Sequence, residues 1–88
     1  MKVEVINMIR YFELSLGNSV EENWENFDYS ICIKAEREPS NFKEVNDFIK
    51  KDLQKLKYKT VVSITEISEY EAKNFFDWDA IMNAPVFK

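Results

Sequence analysis

Apolar residues in the middle of the chain recur at Phe42, Val45, Phe48, Ile49, Leu53 and Leu56. They are three or four positions apart, the spacing that gives an α-helix turning about 100° per residue a single apolar face. The pattern predicts one helix over residues 41–57. Its start is marked by Pro39, which disfavours helical backbone at Glu38. Asn41 followed three residues later by Glu44 is a polar variant of the capping box. One residue interrupts the face. By the helical wheel Asp52 points within the apolar arc between Phe48 and Leu56, where an ionised carboxylate is costly unless paired, so Lys55 or Lys59 is expected beside it.

On both sides of this helix the apolar period falls to two. Val3 and Val5 sit on odd positions, then Ile6, Met8, Phe12, Leu14 and Leu16 on even ones, so the faces swap near Ile6, as at a bulge or a junction of two short strands. The cleaner strand is residues 8–16. Ile9 and Tyr11 make its odd face partly apolar, which suits a central strand or a face that a partner, including a second copy of the chain, covers. Residues 28–36 alternate cleanly, with Tyr29, Ile31, Ile33 and Ala35 on one face and Ser30, Cys32, Lys34 and Glu36 on the other, a half-buried strand with Cys32 on its wet side. Residues 58–67 are rich in β-branched side chains and predict a third strand.

Two short helices complete the pattern. Ser19 and Glu22 have capping-box spacing, and Val20, Trp24 and Phe27 form one stripe, so a short helix follows the first strand. Ser68 and Glu71 form a true S-x-x-E box, with Ile67 and Ala72 placed to pack across it. A second short helix therefore starts near Glu69, with Ala72, Phe75 and Phe76 on its apolar side. The tail runs toward a stop at Ala84-Pro85. The expectation is a single α+β domain over residues 1–88: a small three-stranded, mainly antiparallel sheet, the long helix packed on one face, and short helices after strands one and three.

With 45% hydrophobic and 15% aromatic residues in 88, there is enough apolar material for one core. No run approaches the roughly 18 apolar residues of a membrane span, and no secretory leader is apparent, so a cytoplasmic protein away from membranes is expected. A single cysteine, Cys32, excludes an internal disulfide and fits a reducing compartment. The net charge is −4, with a basic middle over residues 43–59 between acidic ends.

That composition removes most chemistry. Without histidine and with one thiol, zinc sites and nucleophile–histidine arrangements have no ligands or base, so neither enzyme activity nor a cofactor is expected. The single glycine rules out glycine-rich phosphate loops. Asp77-Trp78-Asp79 lacks the glycine and terminal glutamate of a calcium loop. Lys43, Lys50 and Lys57, seven apart, line one flank of the long helix and form the nucleic-acid alternative. Glu44, Asp47 and Asp52 share that helix, and a sequence pI near 4.8 argues against a nucleic-acid backbone as the partner.

The segments least like scaffold are Glu21-Glu22-Asn23-Trp24-Glu25 and Phe75-Phe76-Asp77-Trp78-Asp79. Aromatics beside acids suit an interface with an anchor at its centre and charge at its rim. Glu21, Glu22, Trp24, Glu25, Asp77, Trp78 and Asp79 are therefore the candidate partner-binding residues, for a protein with a basic surface. The alternative is that both tryptophans simply close the core. A small acidic chain rich in Asn, Lys, Glu and Ile, without catalytic groups, has the composition of phage-type proteins that inhibit a host factor by binding it. A protein-binding inhibitor or adaptor ranks first, a nucleic-acid-associated regulator second and an enzyme third.

Overall fold

The computed structural model describes residues 9–18, 27–56 and 59–88. Its elements are β1 (Arg10–Asn18), β2 (Phe27–Ala35), α1 (Phe42–Asp52) with a 3₁₀ turn at Gln54–Leu56, β3 (Lys59–Ile67), α2 (Glu69–Phe75), α3 (Trp78–Asn83) and β4 (Val86–Phe87). The helix expected over residues 19–27 falls largely outside the described residues, as do Glu21, Glu22, Trp24, Glu25 and Lys57.

Among the described residues the sheet has four strands in the order β3-β1-β2-β4, where three were expected. β1 is antiparallel to both its neighbours, and β4 is parallel to β2, so the sheet is mixed. It follows that β2, β3 and β4 share one direction and need crossover connections. The first crossover contains α1 and covers one face. Even-numbered β1 residues Phe12, Leu14 and Leu16 pack there with Ile33, Ala35, Val61 and Phe87 against Val45, Phe48 and Ile49. The second contains α2 and α3 and covers one end of the other face, where Tyr11, Cys32 and Ile67 pack with Ala72, Ile81, Phe76 and Trp78.

Parity is adjusted where β1 meets both neighbours. Ser15 faces Ser63 but Leu16 faces Val61, so β3 carries one extra residue at Val62. Without it Val61 would turn away from the core; with it Val61 is buried beside Leu16. A matching shift against β2 lies between Leu16 and Gly17, where the glycine lets the strand bend at a buried position.

The long helix is shorter than its apolar pattern predicts. It stops at Asp52; the Leu53 N–H still reaches the Ile49 carbonyl at 2.9 Å, but the Leu56 N–H bonds the Leu53 carbonyl in a tighter turn. Leu53 and Leu56 are half-buried at the margin of the core, and Phe42, at the helix start, is exposed. Asp52 is exposed as well, so its charge stays in water and carries no burial cost. At the N-terminus Asn41 Oδ1 accepts from the Glu44 N–H at 2.9 Å. The Glu44 carboxylate reaches back one residue further than a capping box requires, accepting from the Ser40 N–H at 2.8 Å and from Arg37.

Candidate functional site

The second face of the sheet was expected to be open around Ile9 and Tyr11. It is instead closed at that end by α2 and α3: Tyr11 is buried and only Ile9 stays exposed. Both helices start on well-formed caps. Ser68 Oγ accepts from the Glu71 N–H while Glu71 Oε1 accepts from the Ser68 N–H, the reciprocal box expected from the sequence. Asp77 Oδ1 accepts from the Ala80 N–H at 3.2 Å and so starts α3. At the end of α3, Lys34 Nζ from β2 donates to the Met82 carbonyl at 2.9 Å, a cation on the negative end of the helix.

This construction assigns structural work to several candidate contact residues. Trp78 is half-buried, its ring 5.5 Å from that of Tyr11 at a tilt of 46°, with Lys73 Nζ 5.0 Å from its centroid. Asp77 is a helix cap. Of the three candidates in this segment Asp79 alone is exposed with no such bond shown. The acids of α2 are also engaged: Glu71 belongs to the capping box and Glu69 pairs with Lys73 at 3.7 Å. Burial raises the Tyr11 phenol above its ordinary pKa, and the neighbouring Glu69 carboxylate raises it further.

The aromatic residues turned outward are different ones. Tyr70 and Phe75 are each 72% exposed, although Phe75 was expected on the apolar side of its helix. Helical periodicity does not separate the two rings: Phe75 and Phe76 lie about 60° and about 40° to either side of the buried Ala72, and adjacent residues such as Phe48 and Ile49 of α1 do share a core face. Phe76, the residue that caps the end of α2, is the one that packs inward. Tyr70, two residues before the buried Ala72, falls on the opposite side. α2 therefore turns Tyr70 and Phe75 into solvent, with Glu69 and Glu71 on either side of Tyr70 in the chain, and α3 exposes Asp79.

Cys32 is a second correction. Its face of β2 was expected to be wet, but Ile81 and Ala72 pack over it and bury the thiol. Burial, assisted by the Glu13 carboxylate, pushes its pKa up to about 11. It is a thiol and not a thiolate at neutral pH, and so a poor nucleophile. No cluster of three metal-ligating side chains exists among the described residues. No helix of the described residues is long and apolar enough to cross a membrane. Of the lysine flank on α1, Lys43 is engaged with Asp47 at 2.9 Å.

A groove lies between α3 and the segment after α1. It has a volume of about 370 Å³, with β2 residues 30–33 along its floor. Leu53 and Leu56 form one wall, and Phe76, Ala80, Ile81 and Ala84 form the other. Asp77, Ala80, Ile81 and Ala84 are spaced three, four and seven apart, so they form one helical face, and the two alanines leave its middle open. Comparison of the chain with protein-family models, with curated proteins and with solved structures yields no match.

Proposed function

We propose that the protein acts by binding another protein, without catalysing a reaction, through the surface that α2 and α3 turn outward. The observation that carries this is the exposure of Tyr70 and Phe75 among acidic side chains. Two large rings left mostly in water contribute little to the packing of the fold. An aromatic ring that becomes buried supplies much of an interface's affinity, while surrounding acids select a basic partner and speed its approach. The chain's composition adds the narrower reading, an inhibitor or adaptor of the phage type that acts on a host protein by occupying its surface.

The test uses Tyr70→Ala, Phe75→Ala and Asp79→Lys. Because all three side chains are exposed, each variant is expected to keep the fold within about 0.5 kcal/mol. A partner captured from the source cell by the native chain should dissociate faster from the two aromatic variants, at a cost of about 2 kcal/mol for an anchor. From Asp79→Lys it should differ in a salt-sensitive association rate. If a confirmed partner binds all three variants with native kinetics, the contact surface lies elsewhere.

A further inference from the structure

We propose that the outer edge of β2 is a docking site for an extended segment of a partner protein, a run of about four aliphatic residues that joins the sheet in line with β4. The proposal rests on the reading that the protein works by contact, and it states what part of a partner is held and how.

β4 occupies only the end of this edge, pairing with Lys34 and Ala35. Among the described residues, nothing pairs with β2 residues 30–33 on that side. The Glu36 N–H donates outward to the Phe87 carbonyl at 2.9 Å. Backbone polar groups alternate sides along a strand, so those of Cys32 and Ser30 face the same edge as those of Glu36 and Lys34. They offer a partner strand two donors and two acceptors at the bottom of the groove.

Exposed edges are usually blunted by a charge, a proline or a bulge. The sequence Ser30-Ile31-Cys32-Ile33 has none of the three. Nor is it flanked by water on its two faces, as an ordinary edge would be. Leu53 and Leu56 rise on one side and Phe76, Ala80, Ile81 and Ala84 on the other. A strand lying between them would be covered on both faces, which selects a continuous aliphatic run over an alternating one. Four residues at about 3.3 Å each match the four floor positions. β4 already shows what this edge accepts: Val86 is half-buried and Phe87 is buried, its ring edge-on to Phe48 at 5.5 Å. Main-chain bonds then supply affinity and the two walls supply selectivity.

The same walls argue against a second copy as the occupant. Its β2 edge lies at the bottom of an identical groove, so the two edges cannot meet. Its β3 edge is already engaged at Val61, whose N–H donates to Asn46 Oδ1 of α1 at 2.9 Å. A segment without layers packed on its two sides fits.

The probe is a capped hexapeptide with four alternating valines and isoleucines between two lysines, titrated into the full chain while the Ser30 and Cys32 amides are followed by NMR. Those two amides are expected to shift and to gain protection from hydrogen exchange. N-methylation of the two peptide nitrogens that face β2 should weaken binding about tenfold by removing two hydrogen bonds. Ala80→Trp, which fills the groove from an exposed position, should abolish binding, whereas Tyr70→Ala and Phe75→Ala should leave it unchanged. The proposal is overturned if no binding is seen at about 1 mM peptide, if the N-methylated peptide binds equally well, or if Ser30 and Cys32 in the free chain are already as protected as β1, meaning that the chain itself covers the edge. Such a failure would leave the Tyr70 and Phe75 test standing, and a failure there would leave this one.

Discussion

Ile49 and Leu53 lie one turn apart on the same apolar stripe, yet they have different surroundings. Ile49 is fully buried between α1 and the sheet, while Leu53 sits at the helix end with its backbone already out of the helical region. Ile49→Ala is therefore expected to cost about 2–5 kcal/mol and Leu53→Ala clearly less, because the site at Leu53 opens onto the groove and water can fill what is removed. Urea denaturation of both variants checks the order, and equal losses would place Leu53 in the core as the bare periodicity predicts. Cys32 and Phe75 make the same point. The pattern of one strand or one helix says which residues share a side but not which sides a neighbouring element reaches.

Among the described residues, two forked ion pairs tie elements together. Arg10 of β1 donates to both oxygens of Glu66 in β3 at 2.8 and 2.7 Å, and Arg37 before α1 donates to both oxygens of Glu44 in α1. Each carboxyl is held below the ordinary carboxylate range, in both cases chiefly by its hydrogen bonds to the guanidinium. A lowered carboxylate pKa means that the unfolded chain takes up protons first as pH falls. The stabilisation is thus complete above the ordinary carboxylate value near about 4.3 and is lost as pH drops through the folded values. Glu44→Gln and Glu66→Gln should accordingly flatten the fall in stability below about pH 5, measured by denaturation across pH. A variant that keeps the native acid slope would show that its pair contributes nothing to it. Both pairs are solvent-exposed, so high salt should weaken them as well.

At the scale of the whole molecule, the two-residue strand β4 closes the structure. It brings the end of the chain back beside β2 and carries Phe87 into the core between Phe48 and the Arg37 guanidinium, which lies 4.9 Å from the ring centroid. Removal of residues 86–88 should cost about 3–5 kcal/mol, the range for deleting a buried phenylalanine side chain, seen as a large drop in denaturation midpoint. A loss under about 1 kcal/mol would mean that the core closes without Phe87. The same deletion lengthens the bare edge of β2, so a truncated chain that stays folded should bind the aliphatic hexapeptide more tightly.

Local periodicity and end signals settled much of this fold in advance. The helix begun by Asn41, the strands around Leu14, Ile33 and Val61, and the Ser68 capping box depend on neighbours within about four residues, and each was legible. What no local pattern contained was the destination of the chain's last eleven residues. Val86–Phe87 is too short to show a period, and its pairing with Lys34 and Ala35 spans some fifty residues of sequence. The burial of Tyr11 and Cys32, the exposure of Phe75 and the groove beside β2 all follow from where α3 and β4 come to rest. They were decided by tertiary packing, since burial belongs to pairs of elements and a one-dimensional pattern describes elements singly.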